Sequence, residues 1–273
     1  MDYPWIYDEK TKTVLIHYTF NDKLTGLPAD TKTINFIRSK FFEFSQFNQP
    51  IDINTLPNSL THLTFGSNFN QPVNALPHNI THLTFGSSFS QPLGRDSLPS
   101  KLTHLTFGYH FNLPIKKNSL PHSLTHLTFG YHFNQQINKG SLPNSITHLV
   151  FGHSFNKSVK NLPNSITHLH FKHEFDQPVM GLPDSLISLT FESYYFNKSL
   201  DVLPNSITHL TIKSIHYDQE INKLPENLIF LELLVYRYKP INNLPYGLKT
   251  LKIRSDHPTK NIKLPFGCEI ITF

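Results

Sequence analysis

Residues 56–66 read Leu-Pro-Asn-Ser-Leu-Thr-His-Leu-Thr-Phe-Gly, and residues 69–73 read Phe-Asn-Gln-Pro-Val. A Leu-Pro pair then starts the same pattern again. Such pairs begin at residues 27, 56, 76, 98, 120, 142, 162, 182, 203, 224, 244 and 264. After the first interval of 29 residues, every spacing is 20, 21 or 22 residues. This period is typical of solenoids, in which each repeat completes the hydrophobic core of its neighbour.

The pattern inside one repeat predicts a single short strand. Leu63 and Phe65 alternate with His62 and Thr64, which is the period of a strand with one buried face. Pro57 has no backbone donor, so it suits the approach to the strand and not its middle. We therefore predict a β-rich, leucine-rich-repeat-like solenoid of about twelve 20–22-residue coils, with one parallel strand per coil and little or no helix.

The two ends of the chain depart from this pattern. We interpret residues 1–50 as an N-terminal cap with degenerate first repeats, because an insertion rich in Phe41, Phe42 and Phe44 follows the first strand template. Residues 51–273 then form the repeat solenoid, continuous with the cap as one domain. The last repeat stops at Phe273 with its predicted strand, so we expect an uncapped apolar end that favours pairing with another copy or a partner.

Composition argues against several classes of protein. The formal net charge is +5, but only 16% of the 273 residues are charged, so nucleic-acid binding is not predicted. One cysteine, Cys268, excludes an internal disulfide framework. The sequence has neither a signal peptide pattern nor a membrane span, so we expect no membrane contact, no secretion and a cytoplasmic location, in the host cytoplasm if the protein is viral.

We find no motif that carries catalysis. There is no nucleophile elbow, no phosphate loop, no Cys/His cluster and no pair of carboxylates in a predicted cleft. The prediction is a protein that is not an enzyme and needs no cofactor.

A short amide or carboxylate recurs after the second phenylalanine of each repeat. The slot is filled by Asn48, Asn70, Asn112, Asn134, Asn156, Asp176, Asn197 and Asp218, with Ser90 as the exception. A side chain of this kind at a fixed turn can satisfy backbone groups of the next coil, which would otherwise be buried without partners. We predict a stacked structural ladder.

One outward slot is rich in histidine. It holds His62, His82, His104, His126, His148, His168 and His209, while Thr33, Ser188, Phe230, Thr250 and Ile270 take the slot in other coils. Strands stacked in register would place the six imidazoles from His62 to His168 in one file, about 4.8 Å apart.

Four interpretations of this file of histidines compete: a hydrated ladder, a partner-binding face, a metal site and a pH sensor. A flat file offers two ligands per ion, with no carboxylate or thiolate beside them, so we predict no metal site. Repulsion between protonated imidazoles predicts that stability falls below about pH 6.

Other candidate partner-binding residues lie where the repeat departs from its own rule. Tyr109 and Tyr131 occupy the same slot in adjacent coils and predict an aromatic patch at the strand exit. Towards the C-terminus, the histidine and threonine slots change to a mixture of apolar and charged residues. This second group comprises Phe230, Glu232, Leu234, Lys252 and Arg254. These residues either form a specific interface or are there because the sequences of the C-terminal repeats have diverged.

The pattern Leu-Pro-x-Ser-Leu/Ile-Thr-His-Leu-x-Phe-Gly followed by Phe-Asn-x-x-Ile/Val resembles the FNIP repeat, over about residues 14 to 273. The resemblance implies a leucine-rich-repeat-like core and an origin in amoeboid slime moulds or in giant DNA viruses that infect amoebae. Many members carry an F-box before the repeats, which implies a substrate receptor of an SCF-type ubiquitin ligase. Only 13 residues precede Val14 here, and no F-box is recognisable.

We therefore expect a non-enzymatic protein–protein interaction module that serves as a substrate or target adaptor, with a protein partner. The alternative is a structural self-assembling protein, a virion or scaffold component, that associates through its uncapped end.

Overall fold

The computed structural model describes residues 5–37, 44–236, 239, 241, 243–257 and 262–273. The chain is a β-solenoid of about twelve coils with parallel strands, and no helix occurs among the described residues. The predicted fold class is confirmed. The chain divides into two compact units: unit 1 comprises residues 1–135 and 140–146, and unit 2 comprises residues 136–139 and 147–273. The predicted cap, residues 1–50, lies in unit 1; Phe41 and Phe42 fall outside the described residues.

The sheet of unit 1 contains seven strands in its described part. They are β1 (Trp5–Asp8), β2 (Thr13–Ile16), β3 (Thr33–Phe36), β4 (His62–Thr64), β5 (His82–Thr84), β6 (His104–Thr106) and β7 (His126–Thr128). Strands β2 to β7 pair in parallel and in chain order. Strand β1 pairs antiparallel with β2, so the chain begins with a hairpin and not with a regular coil.

The described part of unit 2 contributes seven more strands. They are β8 (His148–Val150), β9 (His168–His173), β10 (Ser188–Ser193), β11 (His209–Ser214), β12 (Phe230–Val235), β13 (Thr250–Ile253) and β14 (Glu269–Thr272), all parallel. Thr250 lies opposite Glu269, and Leu251 lies opposite Ile270. The prediction that Ile270 occupies the histidine slot was therefore wrong. A shift of one residue moves this apolar side chain to the inner side of the sheet, where the core is.

Six apolar side chains fill the core of each regular coil. In the coil that begins at residue 56 they are Leu56, Leu60, Leu63, Phe65, Phe69 and Val73, all buried. The rings of Phe65 and Phe69 stack 3.7 Å apart, and each lies about 6 Å from its counterpart in the next coil. Two columns of phenylalanine rings thus run through the coils, and together with the buried leucine and valine side chains they supply the hydrophobic stabilisation.

The asparagine slot forms a ladder of side-chain to backbone hydrogen bonds. In unit 1, Asn70 N–H donates to Asn48 Oδ1 (2.8 Å), Ser90 N–H to Asn70 Oδ1 (2.9 Å) and Asn134 N–H to Asn112 Oδ1 (2.9 Å). The ladder starts one coil earlier than the slot suggests, because Asn21 Oδ1 accepts from Asn48 N–H at 2.9 Å.

The ladder of unit 2 has the same geometry. Asp176 N–H donates to Asn156 Oδ1 (3.0 Å), Asn197 N–H to Asp176 Oδ1 (2.9 Å) and Asp218 N–H to Asn197 Oδ1 (3.1 Å). A second contribution was missing from the sequence interpretation. The glutamine after the slot also donates to the same ladder oxygen, as Gln91 does to Asn70 at 3.1 Å and Gln177 to Asn156 at 2.8 Å.

Glycine after the strand allows the coils of unit 1 to approach each other closely. A Cβ atom on Gly86 would lie 1.9 Å from the carbonyl oxygen of Gly66, and one on Gly108 would lie 1.7 Å from that of Gly86. No side chain fits at such distances, so the glycine column is required by the packing of backbone on backbone.

Candidate functional site

Each histidine of the outward slot is held by the threonine that precedes it. Thr81 Oγ1 lies 3.2 Å from the carbonyl oxygen of Thr61 in the preceding coil and 2.9 Å from Nδ1 of His82. The hydroxyl has a single hydrogen, which it donates either to the carbonyl or to Nδ1, and the ring tautomer follows from that choice. In the protonated ring both nitrogens carry hydrogen, so Nδ1 then donates to the threonine oxygen.

The same pair recurs along the chain. The Oγ1–Nδ1 distance is 2.8–2.9 Å in Thr61–His62, Thr103–His104, Thr125–His126, Thr147–His148, Thr167–His168 and Thr208–His209. Where the histidine is lost, the threonine is lost as well: the corresponding pairs are Ile187-Ser188, Ile229-Phe230 and Lys249-Thr250. This joint replacement is a signal that the sequence interpretation missed, and it indicates that the two residues act as one unit.

The imidazoles stack face to face. In unit 1 the ring centroids of His62, His82, His104 and His126 follow one another at 4.2, 4.1 and 4.1 Å, with interplanar angles of 11–14°. In unit 2, His148 and His168 stack at 4.2 Å, whereas Ser188 interrupts the file before His209, which lies 5.9 Å from the ring of Phe230. We call the four stacked residues of unit 1 the imidazole file.

Stacking and burial affect the proton affinity of these rings. Partial burial lowers the pKa of His82, and the positive charges that His62 and His126 acquire on protonation lower it further. The pKa of His168 is lowered for the same reasons, with burial first and then His148 and His209. At neutral pH both rings are neutral.

The predicted aromatic patch in unit 1 is present. The rings of Tyr109 and Tyr131 stack at 4.5 Å, and the ring of His132 meets Tyr109 edge-on at 4.7 Å. Tyr109 is 43% exposed, so its side chain is accessible to a partner.

A second aromatic cluster, in unit 2, was not predicted. The ring of His173 stacks on His153 at 4.1 Å and on Tyr194 at 5.3 Å, and Tyr195 stacks on His216 at 5.7 Å. The sequence did not reveal this cluster because the segment from Phe191 to Phe196 is one residue longer than that from Phe171 to Phe175. Residues at the same distance from the strand therefore no longer occupy the same slot in the two coils.

The charged residues of the second predicted group already have partners inside unit 2. Glu232 is only 8% exposed and accepts a hydrogen bond from Lys252 Nζ at 3.0 Å. Arg254 forms two 3.0 Å hydrogen bonds with Asp256 and lies 4.1 Å from the ring of Tyr236. Phe230 and Leu234 are half-buried. Phe230 and Leu234 are therefore the members of this group that expose apolar surface, whereas the charged members already have ionic partners.

Charged groups do, however, occur on the outward face of unit 2. Glu192 bonds to Nε2 of His170 at 3.0 Å and to Lys213 at 3.3 Å. Burial lowers the pKa of His170, so its ring is neutral at neutral pH and Lys213 supplies the positive charge opposite the carboxylate. Together with Lys172, these residues give the face fixed charges of both signs.

The described residues contain no group of three or more His, Cys, Asp or Glu side chains that could hold a metal ion. Among those same residues there is no helix with the length and apolar character needed to cross a membrane.

Comparison with known proteins places this geometry in a family. The family model described as FNIP Repeat matches seven overlapping segments: residues 47–88, 72–110, 89–132, 111–154, 133–173, 155–194 and 175–214. Together they cover residues 47–214, more than half of the chain. None of the curated proteins matches the chain.

Two solved structures resemble the chain. CroV588, a giant-virus protein described as a novel circular LRR protein, is 41% identical over 93% of this chain, with a TM-score of 0.81. YopM from Yersinia enterocolitica WA-314 is 19% identical over 93% of the chain, with a TM-score of 0.45. The chain spans 39% of the length of CroV588 and 62% of that of YopM. The matched repeats, which span residues 47–214, show that the chain belongs to the FNIP repeat family.

Proposed function

We propose that the chain is a non-enzymatic protein-interaction module that works as a substrate or target adaptor in the cytoplasm, or in the host cytoplasm if it is viral. Leucine-rich-repeat-like solenoids are generally scaffolds and are typical of protein–protein interaction modules. In this role, the outward face of the sheet contacts the partner.

One observation carries this proposal: the outward histidines are ordered before any partner arrives. Each ring is hydrogen-bonded to a threonine, and in unit 1 each is stacked on its neighbours. Ordering exposed side chains during binding costs free energy, so a face whose side chains are already fixed binds a partner at a lower entropic cost. The exposed Tyr109 adjoins this face as an aromatic anchor.

A specific observation also favours the alternative, self-association. In the last two Leu-Pro turns, Tyr246 is 97% exposed and Phe266 is fully exposed, where earlier coils have Ala, Asn, Asp, Ser, His or Glu. Large apolar side chains in solvent mark contact sites.

The test is affinity capture from an amoebal lysate, at about pH 5.5 and about pH 7.5, with light scattering on the bait. Three pairs of substitutions are compared: His82→Ala with His104→Ala on the face, Phe230→Ala with Leu234→Ala in unit 2, and His78→Ala with His122→Ala as the exposed control. A partner retained by the control and lost with either of the first two variants supports the adaptor. No partner at either pH, together with a self-associated particle that dissociates on Tyr246→Ser with Phe266→Ser, supports self-assembly instead.

A further inference from the structure

The outward face of unit 1 contains no carboxylate on the strands that surround the imidazole file. Strand β3 presents Thr33 and Asn35 outward, and strands β4 to β7 present only histidine and threonine. No lysine or arginine lies on these five strands either. The titratable groups on these five strands are therefore the four imidazoles, while one exposed cation, Lys32, directly precedes β3 in the slot that Thr61 fills in the next coil.

The threonine contacts fix the orientation of the protonated rings. A protonated imidazole carries hydrogen on both nitrogens, so Nδ1 donates to the threonine oxygen, as the Oγ1–Nδ1 distances of 2.9 Å in His82 and His104 allow. Nε2, the nitrogen farthest from the backbone, is then a charged donor. Each ring reaches this state without having to reorient.

Without a ligand, repulsion between neighbouring imidazoles opposes protonation of all four rings of the file. Ring centroids 4.1–4.2 Å apart place like charges in contact, and the pKa of His82 is lowered by burial and then by its neighbours. A negatively charged ligand along the file removes this repulsion, so binding and proton uptake favour each other.

We propose, building on the interaction role proposed above, that the imidazole file binds an acidic peptide segment of a protein partner at mildly acidic pH and releases it at neutral pH. Carboxylates suit this site because their pKa of about 4 leaves them ionised while histidine gains its proton. Polyphosphate chains of nucleic acids are held by lysine and arginine, which are absent from strands β3 to β7 of unit 1.

Unit 2 provides an internal contrast. Its outward face contains Glu192, which already accepts from His170 and Lys213, and Glu232, which accepts from Lys252. His170 already faces a carboxylate of its own unit, so an acidic partner gains less there. We place the proposed site in unit 1, where four imidazoles stack in succession.

The experiment measures fluorescence anisotropy of a short labelled oligo-aspartate peptide at about pH 5.5 and about pH 7.5. We expect Kd to fall by about tenfold or more on acidification, since several ion pairs form together. The variant His82→Gln with His104→Gln should lose most of this gain. The variant His78→Gln with His122→Gln removes two exposed histidines outside the file and should keep it. Equal thermal midpoints at the higher pH verify that all variants are folded.

Three results would overturn the proposal. They are an affinity that does not depend on pH, an equal loss in the control variant, and equal binding of a single-stranded oligonucleotide of matched charge with the same dependence on His82 and His104. These outcomes are separable from failure of the proposed function. A partner captured at neutral pH and lost in the face variant supports the interaction module while contradicting the acid dependence. Oligo-aspartate binding with no captured protein supports the acid-dependent site while contradicting the proposed interaction module.

Discussion

The regular coils of unit 1 and the middle coils of unit 2 share the same core but end their strands differently. Strands β4 to β7 have three residues each, whereas β9 to β12 have six. Glycine follows the strand phenylalanine in unit 1, as Gly86 follows Phe85, while in the middle coils of unit 2 the same slot holds Lys172, Glu192 and Lys213. Without a Cβ, the backbone lies against the preceding coil; with a side chain, the strand continues and its neighbours pair through further residues.

This difference also determines the chemistry of the two faces. The longer strands of unit 2 add a column of charged side chains, which pair across coils, as Lys213 does with Glu192 at 3.3 Å. Strands β3 to β7 of unit 1 lack that column, and their outward face has only imidazoles, hydroxyls and one amide, that of Asn35. One backbone requirement, the glycine column, thus separates strands β4 to β7, which carry no lysine, arginine or carboxylate, from strands β9 to β12, which carry charged side chains of both signs.

The largest effect is expected from filling the glycine column. Gly108→Ala should destabilise unit 1 by about 3 kcal/mol or more, because the new Cβ meets a backbone carbonyl that cannot move away without shifting a coil. Urea unfolding followed by circular dichroism measures this loss.

Two controls sharpen the contrast. Gly94→Ala has nothing within 4 Å of the added atom and should change stability little. Glu192→Ala in unit 2 removes an exposed ion pair from the same slot and should cost less than about 1 kcal/mol. A Gly108→Ala protein as stable as Gly94→Ala would show that the coils are less tightly packed than the structure indicates.

The next effect concerns the ladder that both units share. Asn70→Ala leaves Ser90 N–H without its acceptor and should cost about 1–3 kcal/mol. Asn197→Ala in unit 2 should cost about the same, because Asp218 N–H loses its acceptor in the same way. Exposed Asn74→Ala is the control in the same denaturation measurement, and an equal loss there would refute a special role for the ladder.

Stability should also depend on pH through the histidines of both units. The pKa values of His82 and His168 are lowered in the folded state, by burial and by neighbouring imidazoles, from about 6.5 in the unfolded chain. Below about pH 6.5 the unfolded state therefore binds more protons, so stability falls as pH falls and levels off below the lowered pKa.

Thermal midpoints between about pH 7.5 and about pH 5 test this dependence. His82→Gln and His168→Gln should each make the decline less steep. A midpoint that is the same at both ends of this range in the unmodified protein would exclude the effect.

The smallest expected effect is a gain. Tyr217 continues the phenylalanine column of unit 2, 6.0 Å from Phe196, but its buried hydroxyl has no hydrogen-bond partner among the described residues. Burial raises the pKa of this phenol, with further contributions from Asp201 and Asp218. Tyr217→Phe should stabilise the protein by about 1 kcal/mol, while the reverse change Phe196→Tyr should destabilise it. Denaturation midpoints that move the other way would show that the hydroxyl has a partner.

The sequence by itself determined the solenoid, its coil length, the alternation of buried and outward residues, and the slots of asparagine and histidine. These features follow from local periodicity, because a strand places alternate side chains on opposite faces and a fixed repeat places equal residues above one another. The FNIP resemblance followed from the same repeated residues.

Tertiary structure alone decided which atoms meet. The acceptor for Thr81 Oγ1 is a carbonyl 20 residues away, and the partner of Glu232 is Lys252, in the next coil. The register of Ile270 and the cluster around His173 depend on one-residue changes in coil pairing or length. Such contacts lie between coils, and their geometry depends on the packing of the whole backbone, which periodicity within one repeat does not specify.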